Sequence, residues 1–239
     1  MNTIKFKKKD TQVIAHRGLS GIETENTNAA FVAAGNRSYY GIETDIHRTV
    51  DGRFVVNHDD NLIRVAGVDI DIESSNLSTL LDIVLFDKDG SKDRVDLRPC
   101  TLENYISICK KYGKHCVLEL KSHFTDEETA RFIDVIKNYE YLENTIFISF
   151  SYENLVKVRS ILPEQSVQFL FVEFSKEIID RLISDKIDVD VYYKALNKEI
   201  IDILHDAGLK VNCWTVDEKE IAEQLAEWGL DYITSNILE

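Results

Sequence analysis

From Thr101 to Thr234 the sequence alternates short apolar, β-branched runs with longer amphipathic stretches, and no other feature constrains the fold as strongly. The period of the apolar residues predicts helix Leu102–Tyr112 leading to strand Cys116–Leu120, and Asp126–Tyr139 leading to Thr145–Ser149. The same pairing links Tyr152–Ile161 to Val167–Phe171, Lys176–Ser184 to Asp188–Tyr192, Asn197–Ala207 to Lys210–Trp214, and Glu218–Trp228 to Asp231–Thr234. Upstream, Gln12–Ala15 and a run beginning at Tyr40 supply two more strands, and Asn26–Asn36 reads as a helix capped by Thr24 or Asn26. Strands separated by helices pair in parallel, and eight such units in roughly 250 residues predict an α/β fold, a closed (β/α)8 TIM barrel. No internal repeat accompanies the period and only two prolines interrupt the chain, so residues 1–239 are expected to form a single domain. Asn61 to Pro99 departs from the pattern. It is polar and acidic with one helix-like piece, Leu77–Leu85, and reads as an insertion or lid too short for a core of its own. After Asp231–Thr234 the pattern offers no eighth helix.

Within Val13 to Asp60, charged residues gather at the ends of strand-like runs. Side chains alternate along a strand, so Glu43, Asp45 and His47 share one face and Ile42, Thr44 and Ile46 the other. Asp51-Gly52 between two β-rich runs signals a hairpin. With a two-residue loop, Val50 faces Arg53 and Asp45 faces His58, which sets an imidazole beside the carboxylate pair. The same pattern also describes a solvated polar strand face, and a one-residue slip abolishes the juxtaposition.

Net charge is −14, which repels nucleic acid and anionic lipid at long range. No run approaches the ~18 apolar residues of a membrane helix, so stable membrane insertion is not expected. The start, MNTIKFKKKDTQ, is basic but has no apolar stretch, unlike a secretory signal. Cys100, Cys109, Cys116 and Cys213 lack metal-ligand spacing and read as reduced structural thiols, which fits a cytoplasmic protein.

A barrel carries its active site at the carboxyl ends of its strands. His16-Arg17, Glu43, Asp45, Glu119, Lys121, Phe150, Trp214-Thr215 and Thr234-Ser235 all fall there. Glu43, Asp45 and Glu119 can converge on a hard divalent cation, Mg²⁺ or Ca²⁺, whereas Zn²⁺ suits a His- or Cys-richer set. With Arg17 and Lys121 such a cation makes a pocket for phosphate. His16 and His58 can then divide general acid and base work. His115 precedes its strand and His205 lies on a helix, so both read as structural, while His123 lies near the site rim.

In this order the motifs resemble the glycerophosphodiester phosphodiesterase family. His16-Arg17-Gly18 matches its His-Arg-Gly opening, Glu25-Asn26-Thr27 its Glu-Asn-Thr element, and Glu43 with Asp45 its Glu-x-Asp pair. His58-Asp59, Glu119 with Lys121, Ser149-Phe150 and Trp214-Thr215-Val216 match later landmarks. The resemblance spans nearly the whole chain. It implies a metal-dependent barrel enzyme that cleaves small-molecule glycerophosphodiesters to glycerol 3-phosphate and an alcohol. Glu43, Asp45 and Glu119 would be metal ligands, His16 and His58 the acid/base pair, and Arg17 and Lys121 phosphate contacts; Phe150 and Trp214 would line the substrate. The chain departs from the family pattern at Thr24, where proline is usual, at His47, which either lines the site or lies past it, and after Thr234, where an acidic residue and a proline are usual. A phospholipase D-like barrel enzyme and a non-catalytic phosphodiester-binding module are the other classes these features admit.

Overall fold

The structure is a computed structural model describing residues 2–239. In chain order its elements are β1 (Gln12–Ala15), α1 (Asn28–Gly35), β2 (Gly41–Arg48), β3 (Phe54–Val56), α2 (Ile63–Ala66), α3 (Leu77–Leu81) and β4 (Cys100–Thr101). There follow α4 (Leu102–Tyr112), β5 (His115–Leu120), α5 (Asp126–Asn138), β6 (Thr145–Ser149), α6 (Tyr152–Ile161), β7 (Val167–Phe171) and α7 (Lys176–Asp185). The chain ends with β8 (Asp188–Tyr192), α8 (Lys198–Asp206), β9 (Val211–Trp214), α9 (Lys219–Glu227) and β10 (Tyr232–Ser235). Strands β1, β2, β5, β6, β7, β8, β9 and β10 pair in parallel in that order, and β10 pairs back onto β1, closing the predicted (β/α)8 barrel. The antiparallel strands β3 and β4 extend from the far end of β2.

Strand alternation builds two apolar layers. Val13, Ala15, Ile42, Ile46, Leu118 and Phe147 face outward and join the helices in the main core. Ile14, Val117, Ile146, Ile148, Leu170 and Tyr232 point inward and fill the barrel. Six helices start under one local rule, in which the side chain of Thr27, Thr101, Thr125, Ser151, Ser175 or Asn197 accepts a backbone N–H from the first turn. Thr27, rather than Thr24 or Asn26, caps α1, because Asn26 takes a left-handed φ of 56° in the preceding loop.

The hairpin differs from the two-residue register by one position. Arg48 opposes Phe54 and Ile46 opposes Val56, so Val50-Asp51-Gly52 forms the loop. Its cause is local. The Thr49 hydroxyl donates to Asp51 at 2.6 Å and accepts from Arg53 N at 3.0 Å, while Asp51 also takes Leu77 N at 3.1 Å. Gly52, at φ +71°, supplies the left-handed turn residue of a three-residue loop. Asp45 therefore opposes Asn57, whose N–H donates to the Asp45 carbonyl at 3.1 Å, and His58 falls one residue beyond.

Residues 61–99 hold more structure than expected. Leu62, Val65, Ala66, Ile72, Leu77, Leu80, Leu85 and Leu97 pack with Val55 into a separate buried cluster, and α2 adds a helix the sequence pattern missed. Leu77 and Leu80 lie on α3, which ends at Leu81 rather than Leu85, while Leu62, Leu85 and Leu97 lie on irregular backbone, where no helical or strand period advertises them. This segment braces the loop between β1 and α1: Thr24 donates to Phe86 O at 2.9 Å, Lys88 to Ser20 O at 2.7 Å, and Arg94 pairs with Glu23 at 2.7 Å.

After β10, in place of a helix, Leu238 bridges Ile4, and the Glu239 carboxylate accepts from Ser38 N and Oγ, both at 2.7 Å, and from Thr3 at 2.6 Å, with Lys5 at 2.7 Å. Burial opposes the Glu239 charge, but Lys5, Thr3 and Ser38 outweigh it and hold the carboxyl down to about 2. Because the folded value lies below the unfolded one, this stabilisation is complete above about pH 4.5 and is lost as the pH falls towards 2. Glu239→Gln should lower the melting temperature at pH 7 by a few degrees, about 1–2 kcal/mol. Melts at descending pH check this, because the gap to wild type should close between pH 4.5 and 2.

Candidate active site

The nine candidate residues converge at the carboxyl ends of the strands. His16, Arg17, Glu43, His58, Glu119, Phe150 and Trp214 line a cavity of about 120 Å³, with Asp190, Thr215 and Thr234 completing its polar wall. Asp45 and Lys121 stand directly beside it. Lys121 Nζ is 3.0 Å from Glu119 and 3.8 Å from Asp45, and Arg17 Nε is 3.7 Å from Asp45. No residue of 61–99 lines this cavity. A larger cavity of about 530 Å³, around Tyr40, His115, Lys210 and Tyr232, lies at the opposite end of the barrel. The chemistry distinguishes the two, since the acidic cluster belongs to the smaller one.

Strand register makes that cluster. Asp45 on β2 is directly paired with Glu119 on β5, and Glu43 sits one inward position earlier on β2. One oxygen from each of the three lies within 4.8 Å of the others, and all three are buried. Burial, then Asp45 and Glu119, push Glu43 well above the usual carboxylate range, against the Arg17 N–H that donates to it at 2.8 Å. Glu119 rises to about 8 through burial and Asp45. Burial also works against Asp45, but Arg17, Lys121 and His58 outweigh it and keep its carboxyl low. Asp45 Oδ2 accepts from Asn26 at 2.9 Å, whereas its Oδ1 is buried with no hydrogen-bond partner.

The loop after β1 is shaped for this contact. Arg17 and Gly18 both take left-handed φ, 53° and 75°, which turns the Arg17 N–H onto Glu43. A Cβ on Gly18 would lie 2.7 Å from that of Ala30, so only glycine admits α1 this close.

Each cavity histidine is held from outside. His16 Nδ1 donates to Asn236 Oδ1 at 2.7 Å. That amide is oriented by Ser20, which donates to the same oxygen at 2.6 Å, and by Asp217, which accepts from Asn236 Nδ2 at 2.6 Å. The proton on His16 therefore rests on Nδ1, leaving Nε2 with a free lone pair 4.0 Å from Glu43. Burial and Arg17 lower His16 to about 4. His58 Nδ1 meets Asp59 at 2.7 Å, and Asp59 is held by Arg64, which with Arg17 also grips Glu25. His47 lies past the site: it is buried, Nε2 donates to His58 O at 3.4 Å, and it lines no part of the cavity. His123 is exposed beside a neighbouring groove rather than on the rim. His115 stacks on Tyr40 at 4.0 Å and His205 pairs with Asp231 at 2.8 Å, both as structural residues. All four cysteines are free and buried. At the mouth, Phe150 meets Trp214 edge-on at 5.6 Å.

Sequence reasoning missed Asp190, Asn236 and Arg64. Asp190 carried a signal, an acid on the inward face of a core strand, which is the logic that singled out Glu119. Asn236 lies on the loop after β10 and Arg64 on the short helix α2; each reaches a partner distant in sequence, Asp217 and Glu25, and no local pattern marks them.

A closed barrel with a buried acidic cluster, two basic side chains and two buttressed imidazoles at its strand ends defines a barrel enzyme built to act on an anion. The model of the glycerophosphoryl diester phosphodiesterase family matches residues 16–238, and the chain belongs to that family, a class of phosphoric diester hydrolases. A glycerophosphodiester phosphodiesterase of Caldanaerobacter subterraneus is 29% identical over 229 residues, covering 95% of this chain and 94% of its own. One from Bacillus subtilis is 25% identical over 244 residues, covering 93% and 82%. The solved structure of an Oleispira antarctica phosphodiesterase in complex with the product sn-glycerol 3-phosphate superposes with a TM-score of 0.87 at 28% identity, covering 95% of this chain and 93% of that one. No helix among the described residues is long and apolar enough to cross a membrane.

In metal-free protein, ¹⁵N-resolved NMR should find His16 in the Nδ1–H form with a midpoint near pH 4; a midpoint near 6.5 would overturn the burial argument. Since the folded value is the lower one, the contribution of His16 to stability is lost as the pH falls from about 6.5 to about 4. Asn236→Leu should mix the two tautomers and cost about 1–3 kcal/mol in a denaturant melt.

Proposed function

We propose that this chain, as one barrel unit, hydrolyses glycerophosphodiesters to glycerol 3-phosphate and an alcohol, with Glu43, Asp45 and Glu119 holding one divalent cation, Mg²⁺ or Ca²⁺. The carrying observation is the acidic cluster itself. Burial, and after it the mutual repulsion of the three carboxylates, raises Glu43 and Glu119, and Asp45 Oδ1 is buried without a hydrogen-bond partner. An all-oxygen donor set of this kind suits a hard cation. When bound, the cation supplies positive charge that polarises the phosphoryl group.

The remaining roles belong to the chain. Arg17 and Lys121 bind the non-bridging phosphate oxygens as charge-assisted donors. Phe150 and Trp214 flank the mouth and offer the bound ester an apolar contact. His16, neutral with its Nε2 lone pair facing the cavity, takes a proton from the attacking water as the phosphorus–oxygen bond to the headgroup breaks. His58, its Nδ1 held by Asp59, gives a proton from Nε2 to the departing alcohol oxygen. With water as the attacking group, the phosphate stays on glycerol and one diester plus one water yields one phosphomonoester plus one alcohol.

The test is release of glycerol 3-phosphate from the choline, ethanolamine, inositol and glycerol diesters, with lysophosphatidylcholine alongside, by EDTA-stripped protein before and after adding Mg²⁺ or Ca²⁺. Metal-restored release supports the reading. Turnover of lysophosphatidylcholine alone would transfer it to the phospholipase D-like class, and no turnover from folded protein would leave a binding module. His16→Ala and His58→Ala should each lose at least about 10²-fold in kcat with unchanged melts. Glu119→Gln should raise the metal concentration needed for half-activation, and an unchanged titration would remove Glu119 from the ligand set.

A further inference from the structure

Asp190 is a buried acid that the proposed chemistry leaves unused. It projects inward from β8, 1% exposed, and lines the same cavity as Glu119 and Trp214. Among the described residues its carboxylate makes no hydrogen bond and no ion pair, and its Oδ1 is buried without a partner. Of the polar side chains nearby, the Asn212 amide is taken up by its neighbours, while Gln168 Nε2 is buried without a partner and makes no bond to Asp190. Asn212, its register partner on β9, donates to Gln168 at 3.1 Å and accepts from Thr234 at 3.3 Å. Trp214 Nε1 turns to the Asp190 backbone carbonyl at 3.4 Å. Burial, and after it Glu119, push the Asp190 carboxyl well above the usual carboxylate range. Buried carboxylates are ordinarily paired, and one left without a donor inside a functional cavity is reserved for a ligand that brings the donor.

Resting on the reading above, we propose that Asp190 is a specificity residue that accepts a hydroxyl of the glycerol half of the substrate. The ligand must offer an O–H or N–H to the closed end of the cavity, because Asp190 is buried while Phe150 at the mouth is 48% exposed. A quaternary ammonium headgroup has no N–H, so it cannot satisfy this oxygen. The glycerol half is common to every diester of the class and carries two hydroxyls. Asp190 thus selects the retained half of the substrate while the headgroup leaves through the mouth.

The test compares binding of sn-glycerol 3-phosphate with that of n-propyl phosphate, which has the same charge and chain length without hydroxyls, in wild type, Asp190→Leu and Asp190→Asn. Wild type should prefer glycerol 3-phosphate by about 10- to 100-fold, and Asp190→Leu should bind both equally. Asp190→Asn, which keeps an acceptor oxygen, should retain part of the preference. Asp190→Leu should also melt at a higher temperature than wild type, since it removes an unpaired buried acid. A preference surviving in Asp190→Leu, a lower melting temperature or loss of folding, or a weakened metal titration would each overturn the proposal, the last by making Asp190 a cation ligand. The two readings fail separately. Wild type that shows the preference yet releases no glycerol 3-phosphate from diesters overturns the catalytic reading alone, whereas turnover with an unchanged preference in Asp190→Leu overturns this one alone.

Discussion

The repulsion among Glu43, Asp45 and Glu119 is the constraint to which the rest of the site answers. Parallel pairing of β2 with β5 forces Asp45 and Glu119 side by side, and alternation along β2 adds Glu43 on the same face. Three buried carboxylates so close destabilise the fold unless opposite charge or donors accompany them. Arg17 and Lys121 supply two positive charges, the Arg17 N–H and the Asn26 amide supply two donors, and the balance is still incomplete. The deficit is visible as a raised Glu43, a raised Glu119 and an orphaned Asp45 oxygen. A structural ion-pair network closes its charge; this one is left open towards the cavity.

Holding that deficit requires rigid surroundings, and the chain provides them unevenly around the barrel. The β1 side carries the most support. The left-handed pair Arg17-Gly18 needs the loop beyond it fixed, and residues 61–99 fix it through Thr24, Lys88 and Arg94. The Arg17–Glu25–Arg64–Asp59–His58 chain then runs from β1 to the end of the hairpin, so His58 is tied to Arg17, the residue next to His16, through Glu25, Arg64 and Asp59. Thr24, which stands where the family usually has proline, replaces a stiffened backbone with a side-chain hydrogen bond to the neighbouring segment. The opposite wall, β7 to β9, carries fewer charges and contributes the aromatic lip and the unpaired Asp190.

What was legible in the sequence follows from range. Alternation and capping are short-range, and the eight barrel strands and helices such as Leu102–Tyr112 and Tyr152–Ile161 were readable from them. The carboxylate cluster was readable as well, because parallel pairing of neighbouring strands turns alternation into proximity. The hairpin register was not, since it is decided by the Thr49 hydroxyl and by Asp51 reaching α3, neither of which follows from Asp51-Gly52 as a turn signal. His58 nevertheless reaches the cavity: Asn57 takes the position opposite Asp45 and the chain turns there, so the next side chain enters the cavity from the side. The apolar cluster within 61–99 was only partly visible, for a different reason: Leu77 and Leu80 sit on a readable helix, but Leu62, Leu85 and Leu97 lie on irregular backbone where no period applies.

The segment after Thr234 shows how an arrangement can persist when the residues that usually build it are exchanged. The resemblance leads one to expect an acid immediately after that threonine, and Ser235 stands there instead. The acid is present on the neighbouring strand end as Asp217, one residue past the Trp214-Thr215-Val216 motif. It accepts from Ser235 Oγ at 2.9 Å, from Asn236 N at 2.8 Å and from Asn236 Nδ2 at 2.6 Å. These bonds leave Asn236 one orientation, with its oxygen towards Ser20 and His16. Ser235 Oγ in turn accepts from Leu238 N at 2.9 Å and Ile237 N at 3.2 Å, turning the chain towards the Ile4 bridge and the Glu239 anchor. A single carboxylate between β9 and β10 therefore both fixes the course of the chain as it leaves β10 and, through Asn236, the tautomer of His16, which couples the end of the last strand to the protonation of the cavity.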